Sequence, residues 1–403
     1  MKVLFLTILK INSLDERGIY TDLLRKFRDE GHDVFIVSPA ERRYKIATNL
    51  KKEKGVTLLQ VKTLNLQKTN VIEKGIGTLF MEYQFLWAVK KNFSNEKFDL
   101  ILYSTPPITF SKVIHFIKKR DKACSYLLLK DIFPQNAIDM KLLKKGGWLH
   151  QMFIKKERKL YEESDTIGCM SEANRNYLLE HYDFLTPGNI EVNPNSITPL
   201  EKIQSIESKV SIREKYGLPV NDKIFVYGGN LGLPQGINFL LHTIENCTVQ
   251  NVFFLIVGSG REYNRIAKWF DDKKPANAKL IGVLPKEEYD LLVNACDVGM
   301  IFLSPDFTIP NFPSRLLSYL ECSMPVLAAT DKSTDIGKVI EKAGCGLWVQ
   351  SGDIKGMLNA INKLMENKDD FLLMKQNARA LLENEYNVDI SYHLIESKVK
   401  PHV

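Results

Sequence analysis

The sequence predicts an α/β protein made of two doubly wound, Rossmann-like domains. Three observations lead there. Short, wholly apolar runs recur along the chain and alternate with segments of helical period, the pattern of parallel sheets covered by helices on both faces. The alternation breaks once, between Asn193 and Pro219, in the polar, proline-punctuated stretch NPNSITPLEKIQSIESKVSIREKYGLP. With 403 residues the chain is long enough for two domains that each bury a core.

Taken in order, Lys2 to Ile8 reads as a strand, Ile19 to Glu30 as a helix closed by Gly31 at its C-cap, and Asp33 to Ser38 as a second strand. Together these make one βαβ unit. Leu100 to Tyr103, Cys124 to Leu129 and Thr166 to Met170 continue as strands, with a helix over Ile108 to Lys119. The boundary is placed near Ser196 to Ser205, giving domains 1–198 and 199–385 and a terminal segment 386–403 with a helix around Ile390 to Lys398. Strands resume at Phe225 to Tyr227, Val252 to Val257, Lys279 to Ile281, Val298 to Phe302, Pro325 to Ala329 and Gly346 to Val349. In such sheets ligands bind at the carboxyl ends of strands, so the cleft faced by the two domains is the expected place for chemistry.

Composition narrows the classes. A chain with 44% hydrophobic and 26% charged residues is neither disordered nor collagen-like. The opening MKVLFLTILK reads as a first buried strand, not a signal, and no uninterrupted stretch of about 20 apolar residues follows. Six cysteines are scattered singly without CxxC pairs or clustered histidines, which predicts reduced thiols in a cytoplasmic protein and no metal site. A net charge of +7 suits a phosphorylated small molecule, an anionic lipid or nucleic acid. Recognition-helix, RNP-like and zinc-finger patterns are missing, so no nucleic-acid partner is expected.

Three segments of the second half carry chemistry. The strand ending at Tyr227 runs into Gly228-Gly229-Asn230-Leu231-Gly232-Leu233-Pro234-Gln235-Gly236 and then an apolar helix. Glycines there let the backbone turn tightly beneath a phosphate at a helix N-terminus, although the same residues also make an ordinary βα turn. Gly258-Ser259-Gly260-Arg261 follows a second strand, with Arg261 either a phosphate ligand or a solvated helix-start charge. In the third, Thr308 to Tyr319, a proline-stiffened loop opens a helix that Ser314 or Asn311 would cap, leaving Arg315 to hold a diphosphate.

In order along the chain, GGNLGLPQG, VGSG, IGVLPKEEYDLL, ACDVGMIFL and PNFPSRLLSYLECSMPVLAA resemble the donor-binding half of a GT-B glycosyltransferase of family 4. GHDVFIVSP, FDLILYSTPP, LLLKDIFPQNA, LYEESDTIGCMSEANRNYL and IEVNPNSI resemble its acceptor half, closest to the bacterial polysaccharide branch that includes N-acetylfucosamine transferases. The resemblance runs from Met1 to about Asp353 and rests on collinearity. It implies a retaining, metal-independent transferase without a cofactor. Such an enzyme moves a sugar, an N-acetylated hexosamine or deoxyhexosamine, from a UDP-linked nucleotide-sugar to a lipid-linked glycan precursor. It also implies donor contacts from Gly18, Arg17, Gly229, Asn230, Gln235, Gly236, Arg261, Leu284, Asn311, Phe312, Pro313, Ser314, Arg315 and Ser318, and a terminal helix that returns to the first domain. Two departures stand out. The Arg and Lys usual in the first glycine loop are replaced by Asn230 and Gln235, and the usual glutamate pair by Pro310 and Ser318, with Glu321 one turn further on.

In the acceptor half, Asp131 ends a strand where a carboxylate either accepts the acceptor hydroxyl's proton or caps the next turn. Lys130 beside it is an electrostatic candidate in place of the family's usual histidine. Between Lys141 and Leu160, basic residues alternate with Trp148, Leu149, Met152 and Phe153. That pattern suits a helix lying on an anionic membrane surface at the inner face of the plasma membrane, and equally a core helix with solvated lysines. Two other functions fit the same chain: a GT-B-fold nucleotide-sugar epimerase, and a non-catalytic sugar-nucleotide-binding partner of a glycan assembly complex.

Overall fold

A computed structural model describes residues 1–53, 55–66, 71–201 and 206–399, so 202–205 of the expected boundary lie outside the described residues. The chain divides into two units, Met1–Thr198 with Val388–Val403, and Pro199–Asn387.

Unit 1 begins with β1 (Lys2–Leu6), α1 (Ile19–Asp29), β2 (Asp33–Glu41), β3 (Asn49–Glu53), β4 (Val56–Thr63) and α2 (Val71–Asn92). It continues through β5 (Leu100–Ser104), α3 (Ser111–Asp121), β6 (Cys124–Leu129), α4 (Gln135–Asp139), α5 (Trp148–Glu163), β7 (Thr166–Cys169), α6 (Glu172–His181) and β8 (Ile190–Val192). Its strands lie in the order β3-β4-β2-β1-β5-β6-β7-β8. All described neighbours are parallel except β3, which runs antiparallel to β4. The buried strands are the apolar runs of the sequence, because a strand covered on both faces has no solvated side. The β3–β4 hairpin lacks that signature on its outer strand: NLKKE is exposed along most of its length, and its lysines blunt the sheet edge against further pairing.

Unit 2 holds α7 (Ile206–Lys215), β9 (Lys223–Asn230), α8 (Ile237–Asn246), β10 (Val252–Ser259), α9 (Tyr263–Lys273), β11 (Ala278–Ile281) and α10 (Lys286–Asn294). Next come β12 (Val298–Phe302), α11 (Arg315–Glu321), β13 (Val326–Thr330), α12 (Ile336–Lys342), β14 (Gly346–Gln350), α13 (Ile354–Glu366) and α14 (Lys368–Glu385). The sheet, β11-β10-β9-β12-β13-β14, is parallel throughout. In both sheets the first strand of the unit lies inside, and the strand order reverses there.

The final helix, α15 (Val388–Glu396), packs on α1 of unit 1. Val388, Tyr392 and Ile395 join the buried cluster of β1, α1 and β2. The Tyr392 ring meets Phe27 edge-on at 4.9 Å, and its hydroxyl lies 3.0 Å from His32 Nε2. Ser391 donates to the Asn193 side-chain oxygen at 2.6 Å.

The basic segment expected as one helix from Lys141 to Leu160 is corrected at its start. Lys141 (φ 57°) and Gly146 (φ 79°) take left-handed backbone that ends α-helical propagation, and the helix begins only at Trp148. All six cysteines are free.

Deleting the Tyr392 ring empties a fully packed site. Tyr392→Ala is expected to destabilise unit 1 by about 3 kcal/mol, read as a lower denaturant midpoint by far-UV circular dichroism.

Candidate functional site

In unit 2, β9 and β12 start as paired neighbours and then part. Their pairing ends at Gly299↔Val226, while β9 stays paired with β10 as far as Ser259↔Asn230. The cause is Tyr319 of α11, whose ring lies against Gly299 where a Cβ would stand. Its hydroxyl accepts from the Gly228 N–H and lies 3.2 Å from both Val226 O and Met300 O. One buried phenol thus replaces the missing ladder bonds of two strands, and burial pushes its ionisation well up. The crevice opens at the carboxyl end of β9, where the strand order reverses and ligands of doubly wound sheets bind.

Arg315, the first residue of α11, lies beside this end. Its guanidinium stacks over the Tyr227 ring at 4.2 Å, and Nη2 donates to Gln235 Oε1 at 2.6 Å. Tyr227 Oη lies 3.1 Å from the same Gln235 oxygen and donates to Asn230 O at 3.0 Å. Nη1 of Arg315 is buried and has no hydrogen-bond partner within the protein. A guanidinium stays charged, so that N–H is an unspent, charge-assisted donor beside the glycine loop.

The loop needs its glycines. A Cβ on Gly228 would run into Tyr289 Oη, and one on Gly236 (φ 57°) would stand 2.6 Å from Leu303 O. Ser304 N–H donates to Pro234 O at 2.9 Å, tying the loop to the end of β12. Tyr289, whose hydroxyl burial pushes up to about 12, forms a further wall.

The other expected donor residues scatter. Gly229 and Asn230 are exposed at the β9 tip, Arg261 is exposed after β10, and Leu284 is half-buried after β11. The Asn311 N–H donates to Thr334 Oγ1 at 3.0 Å, and Thr334 in turn donates to Asp331 at 2.9 Å, which fixes the loop before α11. Phe312 turns its ring into the core against Tyr386, with centroids 6.1 Å apart. Pro313 is half-buried, and Ser314 occupies the N-cap of α11 without the side-chain capping bond expected of it. Ser318 is half-buried on α11, while Glu321 accepts from the Leu200 N–H at 3.0 Å, a structural tie.

In unit 1, Lys130 and Asp131 follow β6, next to the reversal at β1 and β5. Thr105, at the end of β5, pins them: its hydroxyl donates to Asp131 O and accepts from the Lys130 and Asp131 N–H groups at 3.0 and 3.2 Å. Burial pushes the Asp131 carboxyl up to about 6, partly offset by the Asn136 amide donating at 2.6 Å. Burial likewise pushes the Lys130 ammonium down to about 7. Glu157 of α5 is a second buried acid nearby, raised to about 7 by burial and held by the Tyr161 and Tyr182 hydroxyls at 2.9 and 2.6 Å.

Arg17 and Gly18 are engaged within their own unit. Arg17 Nη2 donates to Thr198 O at 2.9 Å, and the Gly18 N–H donates to buried Asp22, which also accepts from Thr198 N–H. Among the described residues no cluster of His, Cys, Asp and Glu is set to hold a metal, and no helix is long and apolar enough to cross a membrane.

Sequence reasoning missed Tyr227, Tyr289, Tyr319, Thr105 and Glu157. For Tyr227 and Tyr319 a tyrosine beside apolar residues was the available signal, since a buried hydroxyl needs a partner.

Residues 208–381 match the family model described as glycosyl transferases group 1. The chain is similar to a probable glycosyltransferase, WbjE, of Pseudomonas aeruginosa, 21% identical over 83% of this chain and 82% of that protein. It is also similar to a putative colanic acid biosynthesis glycosyl transferase, WcaI, of Escherichia coli, 20% identical over 96% of this chain and 97% of the other. Among solved structures, HepE of Anabaena in complex with UDP superposes with a TM-score of 0.70 at 16% identity, covering 98% of this chain and 99% of that one. Its two parallel-sheet α/β units are the GT-B fold, and with a glycosyl transferases group 1 domain over 208–381 the chain is a glycosyltransferase of the GT-B type.

Proposed function

We propose that the enzyme transfers a sugar from a UDP-sugar, an N-acetylated hexosamine or deoxyhexosamine, to a hydroxyl of a lipid-linked glycan precursor in surface polysaccharide synthesis, with retention at the anomeric carbon. One observation carries the reading: the buried, unspent Nη1 donor of Arg315 beside the glycine loop of unit 2. A diphosphate is the ligand that such a donor fits, and charge-assisted bonds strengthen as negative charge gathers on the leaving group. Arg315 thereby supplies the cation that the glycine loop itself lacks, and Gln235 acts by aiming it.

Support for uridine comes from HepE, solved with UDP, and support for a polysaccharide product from WcaI, named for colanic acid biosynthesis. In the reaction the anomeric carbon–phosphate oxygen bond breaks and the carbon–acceptor oxygen bond forms. The acceptor hydroxyl's proton passes to Asp131, whose raised carboxyl is suited to take it near neutral pH. Arg261 and Arg17 are secondary candidates for the phosphates, and no cofactor beyond the donor is assigned. Contact with an anionic membrane surface at the inner face of the plasma membrane is assigned to 141–160, where Leu142 and Trp148 are 63% and 76% exposed.

A thermal-shift panel of UDP, GDP, TDP and ADP tests the donor site. UDP alone is expected to raise the melting temperature, and Arg315→Gln is expected to weaken UDP by roughly ten- to a hundredfold. No shift with any nucleotide overturns the reading.

The pH profile tests the acceptor side. Asp131 must be ionised to take a proton, so activity rises as pH climbs through about 6. If Lys130 acts as a cation, activity falls again above about 7, and Lys130→Met removes that alkaline limb. Asp131→Asn is expected to cost about 10²–10⁴-fold in kcat, and a variant of near wild-type rate would contradict the assignment.

A further inference from the structure

We propose that the outer ridge of α2 is a docking surface for an anionic lipid bilayer, separate from segment 141–160. On its inner side α2 buries Met81, Phe85, Ala88 and Val89, the apolar stripe of an ordinary surface helix. Its opposite side should be polar. Instead Phe80, Tyr83 and Trp87 follow one another at helical spacing and are 59%, 54% and 60% exposed. The ridge then continues into exposed Lys90 and Lys91.

Cations border these rings. Lys91 Nζ lies 5.1 Å from the Trp87 ring centroid, and Lys112 of α3 lies 3.9 Å from that of Tyr83. Glu82 is the single carboxylate between Gly77 and Asn92, and it is fully buried. It accepts from the Ser111 hydroxyl at 3.2 Å, the Lys112 N–H at 2.8 Å and Lys156 Nζ at 3.0 Å. From Gly77 to Asn92 the outward face is therefore aromatic and cationic, and among the described residues of that stretch no exposed carboxylate answers the lysines.

That chemistry selects a bilayer over a protein. Lysine is depleted at protein–protein interfaces, where its ammonium must be desolvated or paired. At a membrane, Trp and Tyr rings settle at the headgroup level while lysine stems reach up to anionic phosphates. The Glu82–Lys156 pair also ties α2 to α5, the helix that carries the other candidate contact. No residue of the ridge belongs to 141–160, and the inference does not require the identity of donor or acceptor.

The test is co-flotation of the full chain with phosphatidylcholine vesicles, with and without phosphatidylglycerol. Wild type is expected to float with the anionic vesicles only. Phe80→Ser/Tyr83→Ser/Trp87→Ser and, separately, Lys90→Gln/Lys91→Gln are each expected to lower partitioning by about tenfold or more, with an unchanged melting temperature because these side chains are exposed. Leu142→Ser/Trp148→Ser is run in parallel. Loss in that variant alone overturns the α2 surface and leaves 141–160 standing. Failure of wild type to float, or a ridge variant that becomes monomeric where wild type is a dimer while vesicle binding is unaltered, also overturns it, the latter in favour of a second copy of this chain.

Discussion

The buried hydroxyl of Tyr319 is the interaction on which the proposed donor site depends. It takes the place of ladder hydrogen bonds between β9 and β12 and so holds open two strands that would otherwise zip together. Parting them frees the carboxyl end of β9 at the point where the strand order turns back. Because Tyr319 and Arg315 share α11, the helix that wedges the crevice open also delivers the cation to it. Gln235 and the Tyr227 ring then fix the guanidinium, and one buried N–H is left for a ligand.

Unit 1 uses the same sheet logic for a different end. Its reversal lies at β1 and β5, and Thr105 at the tip of β5 clamps the backbone that carries Lys130 and Asp131. Both side chains are pulled toward neutrality by burial, the acid upward and the amine downward, so both change charge near physiological pH. The phosphate role expected of Arg17 and Gly18 competes with the bonds they make to Thr198 and Asp22.

The sequence made the fold legible wherever burial dictated the pattern. β1, β6, β10 and β12 stand where their apolar runs predict them, because a strand covered on both faces can be little else. The β3 strand was not legible, since an edge strand of Asn, Leu, Lys, Lys and Glu carries no burial period. At the site, the glycine loop and Arg315 were legible as separate motifs. Their meeting was not: the Arg315–Gln235 bond joins positions 80 residues apart, and nothing local announces it. Phe312 shows the opposite error. A loop that resembles a ligand-binding motif suggested a donor contact, yet the ring is spent on anchoring that loop to Tyr386.

The most direct measurement of the central claim is a crystal structure of the protein with UDP. A phosphate oxygen is expected within hydrogen-bond distance of Arg315 Nη1, with the Gln235 bond and the Tyr227 stack retained. A diphosphate bound elsewhere, with Nη1 still unpartnered, would contradict it.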